Sequence, residues 1–340
     1  MRKLATIRRV KEINPIKDAD RIERITVDGW NVVAQKGLHE VGDLVVYCEV
    51  DSFLPIREEF EFLRKGSYKK MADGSEGFRL RTIKLKNQIS QGLILPLDIL
   101  PEYGLFREGD ETEFTIGDDV TKLLGIIKYD PPIPAELSGE IKGSFPSFIP
   151  KTDEERIQNL VDKYEEFKKY KYYNSEKLDG TSCTMFYNNG HFGVCGRNWE
   201  YFETEKNILW KLARKYDVEN KLKVLGNFAI QGECHGENIQ KNPYKLIGQS
   251  IRFFNVFNID KQEKLKFTEF VEFIKNINLE TVPIISTNFT LPETIDELLI
   301  YADNKSLLNP KTEREGIVIR SLNGKISFKV ISNNFLCKNE

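Results

Sequence analysis

The sequence predicts an α+β protein in two parts, an all-β domain over residues 1–125 and a larger mixed domain over 151–340, joined by a linker at 126–150. Three observations carry this. Short apolar runs separated by turn residues fill the first third of the chain. Prolines then cluster at Pro131, Pro132, Pro134, Pro146 and Pro150. Beyond them, strand-like runs mix with segments of helical period.

Composition sets the outer bounds. The chain has 340 residues, 40% hydrophobic and 30% charged, which is enough apolar material for two cores. Net charge is −2, so no global field recruits a polyanion and any such site must be a local patch. No apolar run approaches the roughly 18 residues of a membrane span, and Met1-Arg2-Lys3-Leu4 does not start a signal peptide. A cytoplasmic or otherwise intracellular monomer with no membrane partner is expected. Cys48, Cys183, Cys195, Cys234 and Cys337 are scattered, and His39, His191 and His235 are the only histidines, which argues for reduced thiols and against a structural zinc site.

In the first domain, strands are predicted at 4–10, 22–27, 30–34, 44–50, 78–85 and 89–96. Asn14-Pro15, Asp28-Gly29, Lys36-Gly37, Gly42-Asp43 and Asp73-Gly74 punctuate them, and Asp28-Gly29 between two apolar runs is a tight-hairpin signal. Strands this short and regular suggest a small barrel or sandwich. Asp18-Ala19-Asp20-Arg21-Ile22-Glu23 and Gly42-Asp43-Leu44-Val45-Val46 resemble OB-fold domains that bind transfer RNA. Between Glu61 and Ser90 stand eight basic residues (Arg64, Lys65, Lys69, Lys70, Arg79, Arg81, Lys84, Lys86) against three acidic ones. Arg79 with Arg81, and Lys84 with Lys86, fall on shared strand faces. The run is either a solvated face or a phosphate-tracking groove.

After the prolines, Thr152-Asp153-Glu154-Glu155 has the form of a capping box, and a helix is expected to run to about Lys169. A strand through Tyr172 and Tyr173 then leads to Lys177, where Asp179-Gly180 supplies the turn. A hairpin follows over 183–195, with its turn at Asn188-Asn189-Gly190. Helices are expected at 204–218, 267–276 and 293–303. Further strands are expected at 228–233, 251–259, 316–320 and 325–331, the last two separated by Asn323-Gly324. Neither a P-loop nor a Rossmann glycine fingerprint occurs.

Polar residues recur beside these strands: Glu176, Lys177 and Asp179, then Arg197, Glu233, Glu315, and Lys325 with Lys329. Taken in order, Glu176-Lys177-Leu178-Asp179-Gly180-Thr181-Ser182, Gly196-Arg197-Asn198, Ile230-Gln231-Gly232-Glu233, Phe253 to Ile259, Glu315 to Arg320 and Ile326-Ser327-Phe328-Lys329 resemble the collinear motifs of covalent nucleotidyltransferases, the polynucleotide ligases and messenger-RNA capping enzymes. The likeness spans about 145–335. Only eleven residues follow Lys329, which leaves no room for a C-terminal OB or helical domain. An OB-like domain ahead of the transferase module resembles a fifth group of ATP-dependent RNA ligases, and Pro150 to Arg156 is similar to their approach to the module. This implies an N-terminal OB-like barrel followed by an adenylation domain of antiparallel sheets flanked by helices.

The resemblance also implies a reaction. Lys177 attacks ATP and becomes lysyl-AMP, the AMP passes to a nucleic-acid 5′-phosphate, and an RNA 3′-OH then displaces it, as at nicks during RNA repair. Lys177, Asp179 and Lys329 would be catalytic. Glu176, Lys177, Arg197, Glu233, Phe257, Glu315, Lys325 and Lys329 would bind the nucleotide, with Phe257 stacked on adenine. Asp179, Glu233 and Glu315 are hard oxygen donors suited to Mg2+ or Mn2+. A lysine that reacts near neutral pH must have its pKa lowered by about three units, roughly 4 kcal/mol; Lys329 and a metal ion are the candidates. Each residue also has a plainer reading: Glu233 as a surface ion pair, Phe257 as core, Arg197 and Lys325 as solvated cations. A DNA ligase, a capping-type guanylyltransferase and a non-catalytic OB-fold RNA-binding protein remain as alternatives.

Overall fold

The computed structural model describes residues 3–71, 73–100, 114–129 and 139–339. Pro131, Pro132 and Pro134 of the expected linker lie outside them. The chain divides into two compact units, Met1–Ile133 and Pro134–Asn339.

The first unit holds β1 (Ala5–Arg9), β2 (Glu12–Pro15), β3 (Ile22–Val27), β4 (Trp30–Gln35), β5 (Leu44–Cys48), β6 (Ser52–Pro55), β7 (Tyr68–Lys70), β8 (Glu76–Arg79), β9 (Thr82–Leu85), β10 (Gln88–Gln91), β11 (Leu93–Leu95) and β12 (Ile127–Lys128). Antiparallel β5 is central, with β1 and β11 on its two sides. Its side chains alternate between two cores. Val46 and Cys48 join Ile7, Leu54, Phe60 and Phe78, whereas Val45 and Tyr47 join Ile25, Val27, Trp30 and Val32. The predicted hairpin forms between β3 and β4: Val27 pairs with Trp30, and Asp28 and Gly29 take φ of +45° and +78°, as a two-residue primed turn demands.

The basic run differs from expectation. Arg79 ends β8 and Thr82 begins β9, so Arg79 and Arg81 do not share a strand face, and Lys86 lies in the following turn at φ +49°. Several of its charges are also already engaged. Arg64 forks onto Glu61 at 2.5 and 2.7 Å, Lys70 meets Glu76 at 3.5 Å, and Arg79 binds Asp51 at 2.8 Å while lying over the Tyr129 ring.

The second unit holds β13 (Ile141–Ser144), β14 (Tyr172–Lys177), β15 (Thr181–Asn188), β16 (His191–Cys195), β17 (Trp199–Tyr201), β18 (Phe228–Gly236), β19 (Gln249–Asn258), β20 (Glu263–Lys264), β21 (Ile284–Phe289), β22 (Gly316–Ser321) and β23 (Ser327–Ile331). They form two sheets, ordered β13-β17-β16-β15-β18-β19-β20 and β21-β14-β22-β23, with antiparallel pairing throughout. One face of the larger sheet (Met185, Val194, Ile230, Phe253) packs on the helices at 208–215, 218–225 and 267–276 through Leu212, Leu222 and Ile274. The smaller sheet buries Tyr172, Ile317, Ile319, Phe328 and Val330 against Tyr164 and Leu298. The expected helix over 204–218 forms only over Ile208–Lys215; the chain breaks at Asp217, whose φ is +52°, and a second helix follows over Val218–Leu225.

Two further expectations are corrected. Residues 126–150 are not one linker: Ile127–Lys128 pairs with β6 and Ile141–Ser144 pairs with β17. The helix from Thr152 does not form. Residues 157–163 are 3-10 and only 164–167 are α-helical, with no side-chain cap at Arg156. The preceding segment is instead drawn out along the smaller sheet, where Lys329 N–H donates to the Glu155 carbonyl at 2.8 Å and Arg156 makes a parallel bridge with Lys329.

Candidate active site at the junction of two sheets

Lys177 is the last residue of β14 and Thr181 the first of β15, so three residues carry the chain from one sheet to the other. Those three are tightly placed. Leu178 is buried with Tyr244 and Val282. Asp179 N–H donates to the Tyr244 hydroxyl at 2.7 Å. Gly180 passes so close to β18 that a Cβ there would lie 2.2 Å from the Cys234 carbonyl oxygen, so no other residue fits without displacing backbone.

The Lys177 ammonium lies 2.6 and 2.7 Å from the two Glu315 oxygens. Strand parity alone would send Glu315 into the core with Ile317 and Ile319. It escapes because it precedes β22, at Gly316. Gly316 has φ +154° and runs so close to Val330 that a Cβ would meet its carbonyl oxygen at 2.1 Å. Glu233 reaches the site from the other sheet, on the β18 face opposite buried Ile230 and Cys234.

Charge is concentrated here. Burial opposes the Lys177 ammonium, but Glu315, Glu233 and Asp179 outweigh it and hold the amine above the usual lysine range. Burial lifts Glu233 to about 8, with Lys177 pulling it down and Glu315 and Asp179 pushing it further up. Burial, and then the Glu315 charge, raise Asp179 to about 6. Among the described residues no three carboxylate, histidine or cysteine side chains form a ready metal cage. The site does fit a cation shared with phosphate, since magnesium commonly takes only one or two carboxylates along with substrate oxygens. Burial and the neighbouring carboxylates together raise both carboxyl pKa values, a cost that a bound cation would relieve.

Two of the expected phosphate-binding cations come together through a residue the sequence reading passed over. Asp153 takes Arg197 at 2.9 Å and Lys329 at 3.5 Å. Arg197 belongs to the turn after β16 and Lys329 to β23, so Asp153 bridges the two sheets. Beside it, Glu154 and Arg320 form a buried pair at 3.0 Å, each side chain only 13% exposed. Burial opposes the Glu154 charge, but the Arg320 guanidinium, helped by Lys264, more than offsets it, so Glu154 ionises below the usual range.

Three expected site residues lie elsewhere. Glu176 points away from Lys177, on the β14 face of Tyr172 and Asn174, where it is buried and accepts the Leu307 N–H at 2.7 Å. There it ties down the loop at Leu307. Lys325 stands exposed in the turn before β23. Phe257 is 4% exposed in an apolar cluster with Ile149, Phe186, Cys195 and Ala229, its plainer reading as core. Tyr244, which touches the turn itself, carried no sequence signal beyond a nearby Asn-Pro.

Comparison with known proteins draws on both units. Residues 4–97 match a family model described as an OB-fold domain, and residues 171–331 match one described as RNA ligase. Structures of a Naegleria gruberi RNA ligase are similar along almost the whole chain. Its complex with PPi has 44% identity, 99% coverage of both chains and a TM-score of 0.81. The chain belongs to the RNA ligase family. Two mutant structures of the same Naegleria enzyme are equally similar, one with AMP and Mn (44% identity, 99% of both chains, TM-score 0.82) and one with ATP and Mn (44%, 99% of both chains, 0.81). Among curated proteins, none matches. This ligase therefore has an OB-fold domain followed by a ligase domain, and the guanylyltransferase and non-catalytic alternatives are set aside. No helix among its described residues is long and apolar enough to cross a membrane.

Proposed function

We propose that this ligase uses ATP and a divalent ion, Mn2+ or Mg2+, to join RNA ends in three steps centred on Lys177. The single observation that carries the reading is the Lys177 amine held at a strand tip against Glu315, with Asp179 and Glu233 close enough to shift its protonation. The Naegleria structures with ATP, AMP, PPi and Mn support the choice of ligands.

In the first step Lys177 Nζ forms a bond to the α-phosphorus of ATP, the bond to pyrophosphate breaks, and the ammonium gives up its proton. In the second, a 5′-phosphate oxygen takes the AMP and the N–P bond breaks. In the third, a 3′-OH attacks the activated 5′-phosphorus and AMP leaves. Asp179, Glu233 and Glu315 would hold the divalent ion. When bound, it neutralises these carboxylates and the phosphate oxygens, removing the field that keeps Lys177 protonated. Arg197 and Lys329 would grip phosphate, which would replace Asp153 as their anionic partner. Substrate phosphates and Asp153 then compete for the same two cations.

We further propose that the substrate is a nick whose 3′-OH strand is RNA. The test has two parts. Labelled ATP with Mn2+ should leave an acid-labile AMP adduct on the wild type and none on Lys177→Ala; an adduct on another lysine in that variant would overturn the assignment. A panel of nicked duplexes with RNA or DNA at the 3′-OH end should be sealed only when that end is RNA. Equal sealing of the two would remove the substrate reading and leave the chemistry standing.

A further inference from the structure

The bend that carries Lys177 is held from behind by the loop between β18 and β19, residues 237–248. Tyr244 lies at its centre with 0% of its surface exposed. Its hydroxyl accepts the Asp179 N–H at 2.7 Å and lies 3.5 Å from the Lys177 carbonyl oxygen. Its ring packs on Leu178, the residue between them. Gln240 Nε2 donates to the Gly180 carbonyl at 3.1 Å, so one loop grips the carbonyl of Gly180, the amide of Asp179 and the side chain of Leu178.

The loop is itself built to be stiff. Asn238, Gln240, Asn242 and Lys245 all take left-handed φ, between +45° and +61°. Such conformations persist only where the surroundings over-determine them. Here Asn242 bonds both the N–H and the carbonyl of Leu246, and Asn309 Nδ2 donates to the Tyr244 carbonyl at 2.9 Å.

We propose that Tyr244 is a positioning residue for the nucleophile: its hydroxyl sets the Lys177–Asp179 backbone so that Nζ points at the phosphorus it attacks. This rests on the reading of Lys177 as the nucleophile. The two steps in which Nζ makes or breaks its bond to phosphorus depend on that aim, because the reacting atoms must stand about 3–3.5 Å apart and in line. The last step does not, since its bonds form and break between phosphorus and oxygen with the lysine free. Tyr244 has none of its surface exposed, so loss of its hydroxyl should leave ATP binding unchanged.

Removing only the hydroxyl leaves the Asp179 N–H without its acceptor and lets the turn relax. The experiment uses full-length Tyr244→Phe, with rapid-quench measurement of AMP-adduct formation over a series of ATP concentrations. Sealing of a pre-adenylylated nick is measured on the same sample without ATP. The expected result is a fall in the adduct-forming rate of roughly ten- to a hundredfold, an unchanged KM for ATP, and unchanged sealing of the pre-adenylylated nick. Asn309→Ala, which keeps the hydroxyl and loosens the loop behind it, should lose less in the same direction. Equal losses in both assays would show a merely structural tyrosine and overturn the proposal, as would wild-type adduct formation by Tyr244→Phe. Lys177→Ala, run alongside, separates the two readings: an adduct surviving there removes the nucleophile assignment itself, whereas the other failures remove only the role of Tyr244.

Discussion

The two units use charge in opposite ways. In the OB-fold domain several cations each meet a partly exposed anion: Arg64 with Glu61, Lys70 with Glu76, Arg79 with Asp51. In the ligase domain three carboxylates surround one ammonium, and two of them resist ionisation. Paired surface charges are individually worth little. An unbalanced buried group stores a demand for a ligand. A run of basic residues in the sequence therefore says less about function than a few acids that the fold drives together.

The largest expected effect tests that imbalance. Glu315→Ala removes the closest partner of Lys177 and one of the proposed metal ligands. Adduct formation should fall by roughly a thousandfold or more. Wild-type adduct yield would break the contrast at its strongest point.

A second test sets the buried pair against a surface pair. Glu154→Ala leaves the Arg320 guanidinium buried without its partner and should lower stability by about 3 kcal/mol or more, read as a shift in the urea midpoint. Glu61→Ala, at the exposed Arg64 pair, should leave the midpoint where it is. Equal shifts would mean that burial does not separate the two kinds of pair.

The third concerns pH. In the metal-free protein Glu233 keeps its proton up to about 8 and Asp179 up to about 6. A cation binds the ionised carboxylates, so binding releases protons, and affinity rises with pH until Glu233 is ionised. Below about pH 8 the affinity for Mn2+ should climb by up to roughly tenfold per pH unit for each proton released, then level off. Calorimetry in buffers of different ionisation enthalpy would count the protons. Glu233→Gln should flatten the slope between about 6 and 8, and a slope unchanged in that variant would show that another group titrates.

The smallest effect lies in the basic run. Lys65, Lys69 and Lys86 stand exposed. Reversing each should reduce the salt slope of nicked-duplex binding by up to about 0.9 per lost phosphate contact, while adduct formation stays at the wild-type rate. Arg79→Glu should instead destabilise its own unit, by losing Asp51 and the Tyr129 ring. If no reversal changes the slope, the run is a solvated face and RNA is held elsewhere.

What the sequence disclosed was whatever depends on close spacing. Lys177, Asp179 and Gly180 were legible because a strand tip and its turn are local, and Glu233 because an acid ends an apolar run. The tight turn at Asp28-Gly29 was legible for the same reason. Glu315 was found by its motif, but its direction was not, since the close approach of Gly316 to Val330 overrides strand parity. The segment from Thr152 carries helix-capping chemistry, yet Glu154 is drawn to Arg320 and Glu155 to the backbone of Lys329, so tertiary pairing wins over local propensity. Asp153 read only as part of a capping box, and Tyr244 left almost no signal, because both act on residues distant in the chain.

The bridge between Arg156 and Lys329 also bears on solubility. β23 is the last strand of its sheet and carries Phe328, Val330 and Ile331. An open edge of that composition is a template for another chain. The segment at 155–156 occupies part of that edge, and Lys329 sets a charge in the middle of the strand. Substitutions that peel the segment away, or that remove the charge, should leave a protein that self-associates through β23 as its concentration rises.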